Sequence, residues 1–111
     1  MIIQITRSRV EELRSLVREA SVRDAYRTFV IEGPHLIERA FESAPERIKE
    51  IIFTESALEE HHAIAQRAER KNIRSYQITV KMAERISDVK TPQGIFAESV
   101  DRRAGLLSSR R

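Results

Sequence analysis

The stretch FVIEGPHLIERAF, residues 29–41, sets one glycine and one proline between a short apolar run and an amphipathic segment. A glycine at such a strand-to-helix turn can expose helix N-terminal amides to a phosphate. Pro34 removes one N–H, but those of His35 and Leu36 remain. The turn cannot cradle a dinucleotide, because G-x-G-x-x-G needs three glycines and Gly33 is the only one between positions 30 and 40. A Walker A loop fails for the same reason, and no G-x-S-x-G elbow exists. What remains is a turn that holds one phosphate or one that only shapes the backbone.

Other chemistries find little support. Cysteine is absent, which excludes thiolate metal sites, Cys nucleophiles and disulfides. His35, His61 and His62 are the only histidines and no pair stands at i, i+4, so a zinc site has no framework and none is expected. Glu59 and Glu60 are adjacent in a helical pattern and diverge, which leaves general acid–base work without a pair. No catalytic residue is assigned. Arginine is the residue with a chemical theme: residues 7–27 hold six Arg against four acids, and the guanidinium fork suits bidentate contacts to phosphate.

Charge position matters more than the total of +3. Residues 101–111 add four Arg against one Asp, whereas 28–100 carry ten Lys/Arg against twelve acids, so the basic excess sits at the two ends. Phe29, Phe41, Phe53 and Phe96 fall on apolar strands or an apolar helix stripe and read as core. The exposed strand aromatics of a base-stacking sheet are missing, so any RNA would be held through phosphates and shape.

These residues need elements to position them. Ser8 with Glu11 has capping-box spacing, and Val10, Leu13, Leu16, Val17 and Ala20 make an apolar stripe, which predicts a helix over about 9–20. SVRDAYRT then reads as polar connection. TFVIE is a strand and the segment after Pro34 a helix; IKEIIFT is a second strand. Ser56 with Glu59 opens a helix to about residue 70, and NIRSYQI is a third strand. Thr79 caps a short helix, KTPQG turns, and IFAESV is a fourth strand. The alternation predicts an α/β fold: a compact three-layer α/β/α sandwich with a mostly parallel four-stranded sheet plus an N-terminal helix.

A chain of 111 residues forms one domain, placed at 1–100, with 101–111 a linker or C-terminal tail. The longest uncharged run is Thr91–Ala97, too short for a membrane span, and the N-terminus becomes charged too early for a signal segment. A cytoplasmic protein with no membrane partner is the expectation.

RDAYRTFVIEG running into a helix and ISDVKTPQGIFA near the end, after a basic first helix, resemble the substrate-binding domain of SpoU-type (TrmH-like) RNA ribose methyltransferases. The shared features are Arg23 six residues before Phe29, the strand end Glu32-Gly33, and the Thr91-Pro92-Gln93-Gly94 turn. The resemblance spans roughly residues 5–100. It implies a fold like that of ribosomal proteins that grip kinked RNA, an rRNA or tRNA partner, and S-adenosylmethionine on a separate catalytic domain through which such enzymes can dimerise. No cofactor is expected on this chain. Related sequences often carry Asn where Val10 stands, so any role of that residue does not transfer.

The expected RNA contacts are Arg7, Arg9, Arg14, Arg23 and Arg27 at the basic end, with His35, Lys90 and Gln93 near the strand-end turns. Glu32, Gly33, Thr91, Pro92 and Gly94 shape those turns. Beside phosphate Glu32 would repel, so it should accept hydrogen bonds from backbone amides or orient Arg23 or Arg27. About four engaged phosphates would give a log–log salt slope of about −3 on single-stranded or looped RNA. Two other functions fit the same residues: a protein interaction or dimerisation module that uses the sheet or first helix, and a stand-alone binder of structured RNA.

Overall fold

The computed structural model describes residues 2–101. Five strands, β1 (Ile2–Gln4), β2 (Thr28–Glu32), β3 (Ile48–Thr54), β4 (Arg74–Ile78) and β5 (Ile95–Val100), form one sheet in the order β1-β4-β3-β5-β2. Six helices surround it: α1 (Arg7–Arg18), α2 (Ala20–Tyr26), α3 (Pro34–Ser43), α4 (Glu55–Glu60), α5 (His62–Arg70) and α6 (Val80–Ile86). A 3-10 turn, Pro45–Arg47, leads into β3.

The alternation of side chains along the strands builds two cores. On one face Ile51, Phe53, Ile95 and Ala97 pack with Ile37 and Phe41 of α3, Ala57 of α4 and Ile64 and Ala68 of α5. On the other, Ile52, Phe96 and Ile78 pack with Val10, Leu13 and Leu16 of α1 and Ala83 and Ile86 of α6. All four phenylalanines read as core, and three are; Phe29 is 37% exposed on the outer strand β2.

The sheet differs from the expectation in number and direction. It has five strands, and while β1–β4 and β4–β3 are parallel, β5 runs antiparallel to both β3 and β2. The cause is the short α6. Seven residues advance only about 10 Å, and α6 ends beside the carboxyl end of β2, where the Ser87 hydroxyl meets Glu32. The chain therefore re-enters the sheet from the carboxyl edge and must run backwards. β1 is the strand that the sequence reading left out.

Three helices, α1, α4 and α6, start on the same cap. Thr6, Thr54 and Thr79 each accept a hydrogen bond from the backbone N–H three residues on, at 3.2, 3.2 and 3.1 Å. Ser8 and Ser56, read as caps, are the second helical residues after Thr6 and Thr54. SVRDAYRT, read as connection, is largely α2, which buries none of its residues and so shows no apolar stripe. It is fixed instead by Arg23, whose guanidinium donates to the carbonyls of Leu16 and Val17 at 2.9 and 3.1 Å. The segment expected as a single helix from Ser56 breaks at His61 into α4 and α5.

Candidate nucleic-acid interface

Where the sheet's parallel strands end, four helices begin, α3 after β2, α4 after β3, α6 after β4 and α1 after β1. At β2 the chain must leave the sheet and enter α3 within one residue. Gly33 makes that turn at φ +103°, a conformation essentially reserved for glycine. Its N–H donates to the Ile95 carbonyl at 3.0 Å and its own carbonyl accepts from Ile37 at 3.2 Å.

Glu32 then staples the loop before β5 to this turn. One carboxylate oxygen accepts from the Ser87 hydroxyl at 2.7 Å and the other from the Gln93 backbone N–H at 3.1 Å. The Ser87 hydroxyl oxygen in turn accepts from the Val89 N–H at 3.1 Å. Glu32 thus accepts from one backbone amide and one hydroxyl, and among the described residues no arginine bonds it. Gln93 lies over Gly33, since a Cβ there would come 2.9 Å from its Nε2. Gly94, at φ +78°, sits against Thr54, whose N–H donates to the Gly94 carbonyl at 2.9 Å.

The result is a rigid base with an exposed rim. Val89, Lys90, Thr91 and Gln93 stand out from the loop, and His35 and Leu36 from the first turn of α3. The rim offers an ammonium, an imidazole, an amide and two apolar side chains to a ligand. Among the described residues, no group of three or more His, Asp or Glu is placed to hold a metal.

The arginines do not form one patch. Arg7 is exposed at the start of α1 and lines a groove of about 470 Å³ between α1 and α6. Arg14 lies on the same side of α1, and its buried Nε has no hydrogen-bond partner among the described residues. Arg9 points inward: it bonds Glu50 and Glu98, and Glu12 at 3.2 Å. Burial disfavours its charge, but the hydrogen bond to Glu50 and the charges of Glu98 and Glu50 outweigh that and raise its pKa above the ordinary arginine value. Arg23 is occupied at the end of α1, as described. Arg27 is exposed at φ +59° before β2, whereas Glu32 closes that strand about 16 Å away.

Lys81 and Arg85 are residues that sequence reasoning missed. They stand on α6 facing α1 and line the groove with Arg7. Their i, i+4 spacing was visible, but the pairing of α6 with α1 was not.

The model of the MRM3-like substrate binding domain matches residues 7–97, and the chain belongs to that family. Among solved structures, the chain is similar to the AdoMet-bound rRNA methyltransferase from Sinorhizobium meliloti, at 20% identity and a TM-score of 0.70, covering 91% of this chain and 36% of that one. It is also similar to an RNA 2′-O ribose methyltransferase, at 25% identity and 0.68, covering 91% and 38%. The SpoU methyltransferase AviRb from Streptomyces viridochromogenes aligns at 16% identity and 0.61, covering 86% and 36%. The chain thus spans little more than a third of the length of these proteins. Among curated proteins no sequence matches.

Proposed function

We infer that this domain recognises RNA on behalf of a 2′-O-ribose methyltransferase of the SpoU type. The observation that carries the reading is the family match across residues 7–97, supported by the likeness to little more than a third of two RNA methyltransferases. The chemistry of the rim agrees with it. Lys90 and His35 supply positive or hydrogen-bonding groups for phosphate, Gln93 an amide for a base edge or ribose, and Leu36 and Val89 apolar surface against a base. Glu32, Gly33, Thr91, Pro92 and Gly94 hold that rim in place. Arg7, Arg14 and Arg27 add charge outside it, whereas Arg9 and Arg23 serve the fold.

In this reading the domain performs no chemistry. S-adenosylmethionine and the methyl transfer belong to a catalytic domain, dimerisation runs through that domain, and the enzyme modifies rRNA or tRNA in the cytoplasm. On α1 the interaction-module alternative lacks its expected observation: Val10, Leu13 and Leu16 are at most 4% exposed, and Val17 packs half-buried against the same core.

Photo-crosslinking to rRNA fragments that carry 4-thiouridine tests the reading. Adducts should map to peptides containing residues 33–39 and 87–93. Crosslinking that spares both peptides, or none at low salt, would contradict it.

A further inference from the structure

α1 and α6 lie side by side on one face of the sheet and run in the same direction, for Glu11 in the first half of α1 meets Arg85 in the last turn of α6, and Arg18 at the end of α1 meets Asp88 just beyond α6. On α1, Arg7 and Glu11 line the groove and Arg18 meets Asp88, with Arg14 between them in the helical repeat. The spacings of these α1 residues, four, three and four, keep them on one stripe, about 16 Å long. α6 contributes Lys81 and Arg85.

Five cations therefore face two carboxylates along this seam, Glu11 and Asp88. The carboxylates are already used. Glu11 accepts from Arg85 at 2.6 and 3.1 Å, and Asp88 accepts from Arg18 at 3.3 Å. Arg18 also donates to the Ser87 carbonyl at 2.9 Å. Arg7, Arg14 and Lys81 have no ion pair within 4.0 Å among the described residues. Glu84, the remaining acid of α6, does not line the groove. At the Arg7 end the groove has an apolar floor, Val10 and Met82, beneath Arg7 and Lys81.

We propose that the α1–α6 seam is a second RNA track, in which Arg7, Lys81 and Arg14 neutralise successive phosphates of a single strand and one base rests on Met82. This rests on the RNA-recognition reading above. A different site on the fold is assigned here: the carboxyl-edge rim faces the loop before β5, whereas the seam runs between the two helices. Excess unpaired charge along the groove favours a polyanion, and the apolar floor favours a nucleotide over an acidic peptide.

The test is fluorescence anisotropy with the full 111-residue chain, using labelled oligouridylate and a labelled RNA hairpin across a salt series. Replacing both Arg7 and Lys81 with alanine should reduce the magnitude of the log–log salt slope by about 1.4, two phosphates at roughly 0.7 each. Both side chains are exposed without ion-pair partners, so the melting temperature should not move. Glu11→Gln removes the carboxylate that competes with phosphate and frees Arg85, so it should bind oligouridylate more tightly with a steeper slope.

An unchanged slope in the double variant, with wild-type binding intact, would overturn the seam and leave the RNA reading standing. Weaker binding by Glu11→Gln at unchanged stability would do the same. Absence of wild-type binding to both probes would overturn both. Displacement of oligouridylate by polyglutamate of equal charge, as effective as by unlabelled RNA, would make the seam an acidic-peptide site instead.

Discussion

Replacing Arg9 with methionine would leave two carboxylates facing each other inside the protein. Glu50 and Glu98 are direct cross-strand partners on β3 and β5, 8% and 2% exposed. Arg9 bonds both of them. Two charges about 5 Å apart at an effective dielectric of roughly 20 repel by about 3 kcal/mol. The measured cost of removing one partner from a buried ion pair spans a similar range, about 3–5 kcal/mol. Two features hold the expectation to its lower end: the Arg9 side chain is 24% accessible, and the Lys49 ammonium lies 3.8 Å from Glu98. Urea unfolding followed by circular dichroism at neutral pH should show a loss of about 3 kcal/mol, with the melting temperature lower by roughly 12 °C. The triple variant Arg9→Met, Glu50→Gln, Glu98→Gln buries no charge there and should recover more than half of the loss. A loss below about 1 kcal/mol would refute the buried network. The RNA readout is independent: folded Arg9→Met should keep the wild-type salt slope, and a fall of about 0.7 would make Arg9 a phosphate ligand after all.

Gly94→Ala should destabilise by about 1–3 kcal/mol in the same assay, since its φ of +78° is strained for alanine and the new Cβ would come 2.8 Å from the Thr54 hydroxyl. Glu32→Gln gives up one of the two acceptor sites that hold Ser87 and Gln93, and should cost about 1 kcal/mol and weaken RNA binding; unchanged values of both would remove its stapling role. The hydrogen bond from Arg85, with the charges of Arg85, Arg14 and Arg7, holds the Glu11 carboxyl below its ordinary pKa. Because the folded value is the depressed one, this pair stabilises the fold above the unfolded carboxylate pKa, and its contribution disappears as pH falls through the folded value. In Arg85→Ala, an NMR titration should find Glu11 at higher pH than in the wild type, and no upward movement would exclude the pairing.

The parts of the fold that sequence made legible are those with local punctuation. Gly33-Pro34 marks the end of β2, Thr79 caps α6, and Gly94 opens β5. Elements held by distant contacts were harder to read. β1 is three residues long and gains its identity only by pairing with β4, and α2 depends on Arg23 reaching back to α1. The helical arginines illustrate the same limit at the site. Arg9 and Arg14 look alike in sequence, yet the partners of Arg9 lie 41 and 89 residues away, so no local pattern marks it as internal. A clue did exist: Glu50 and Glu98 each interrupt an apolar strand, and a buried carboxylate demands a cation. The role of Glu32 was readable because both its position at a turn and its repulsion of phosphate argued for backbone donors. Lys81 and Arg85 were not found, since the seam exists only once α6 packs on α1.

If this domain recognises RNA as proposed, it does so through a limited set of phosphate contacts on a preformed surface. Anisotropy of a labelled rRNA hairpin titrated with the wild-type chain, repeated over a salt series, measures it directly. About four engaged phosphates predict a log–log slope near −3. Binding that is absent at low salt, or that does not change with salt, would contradict the account.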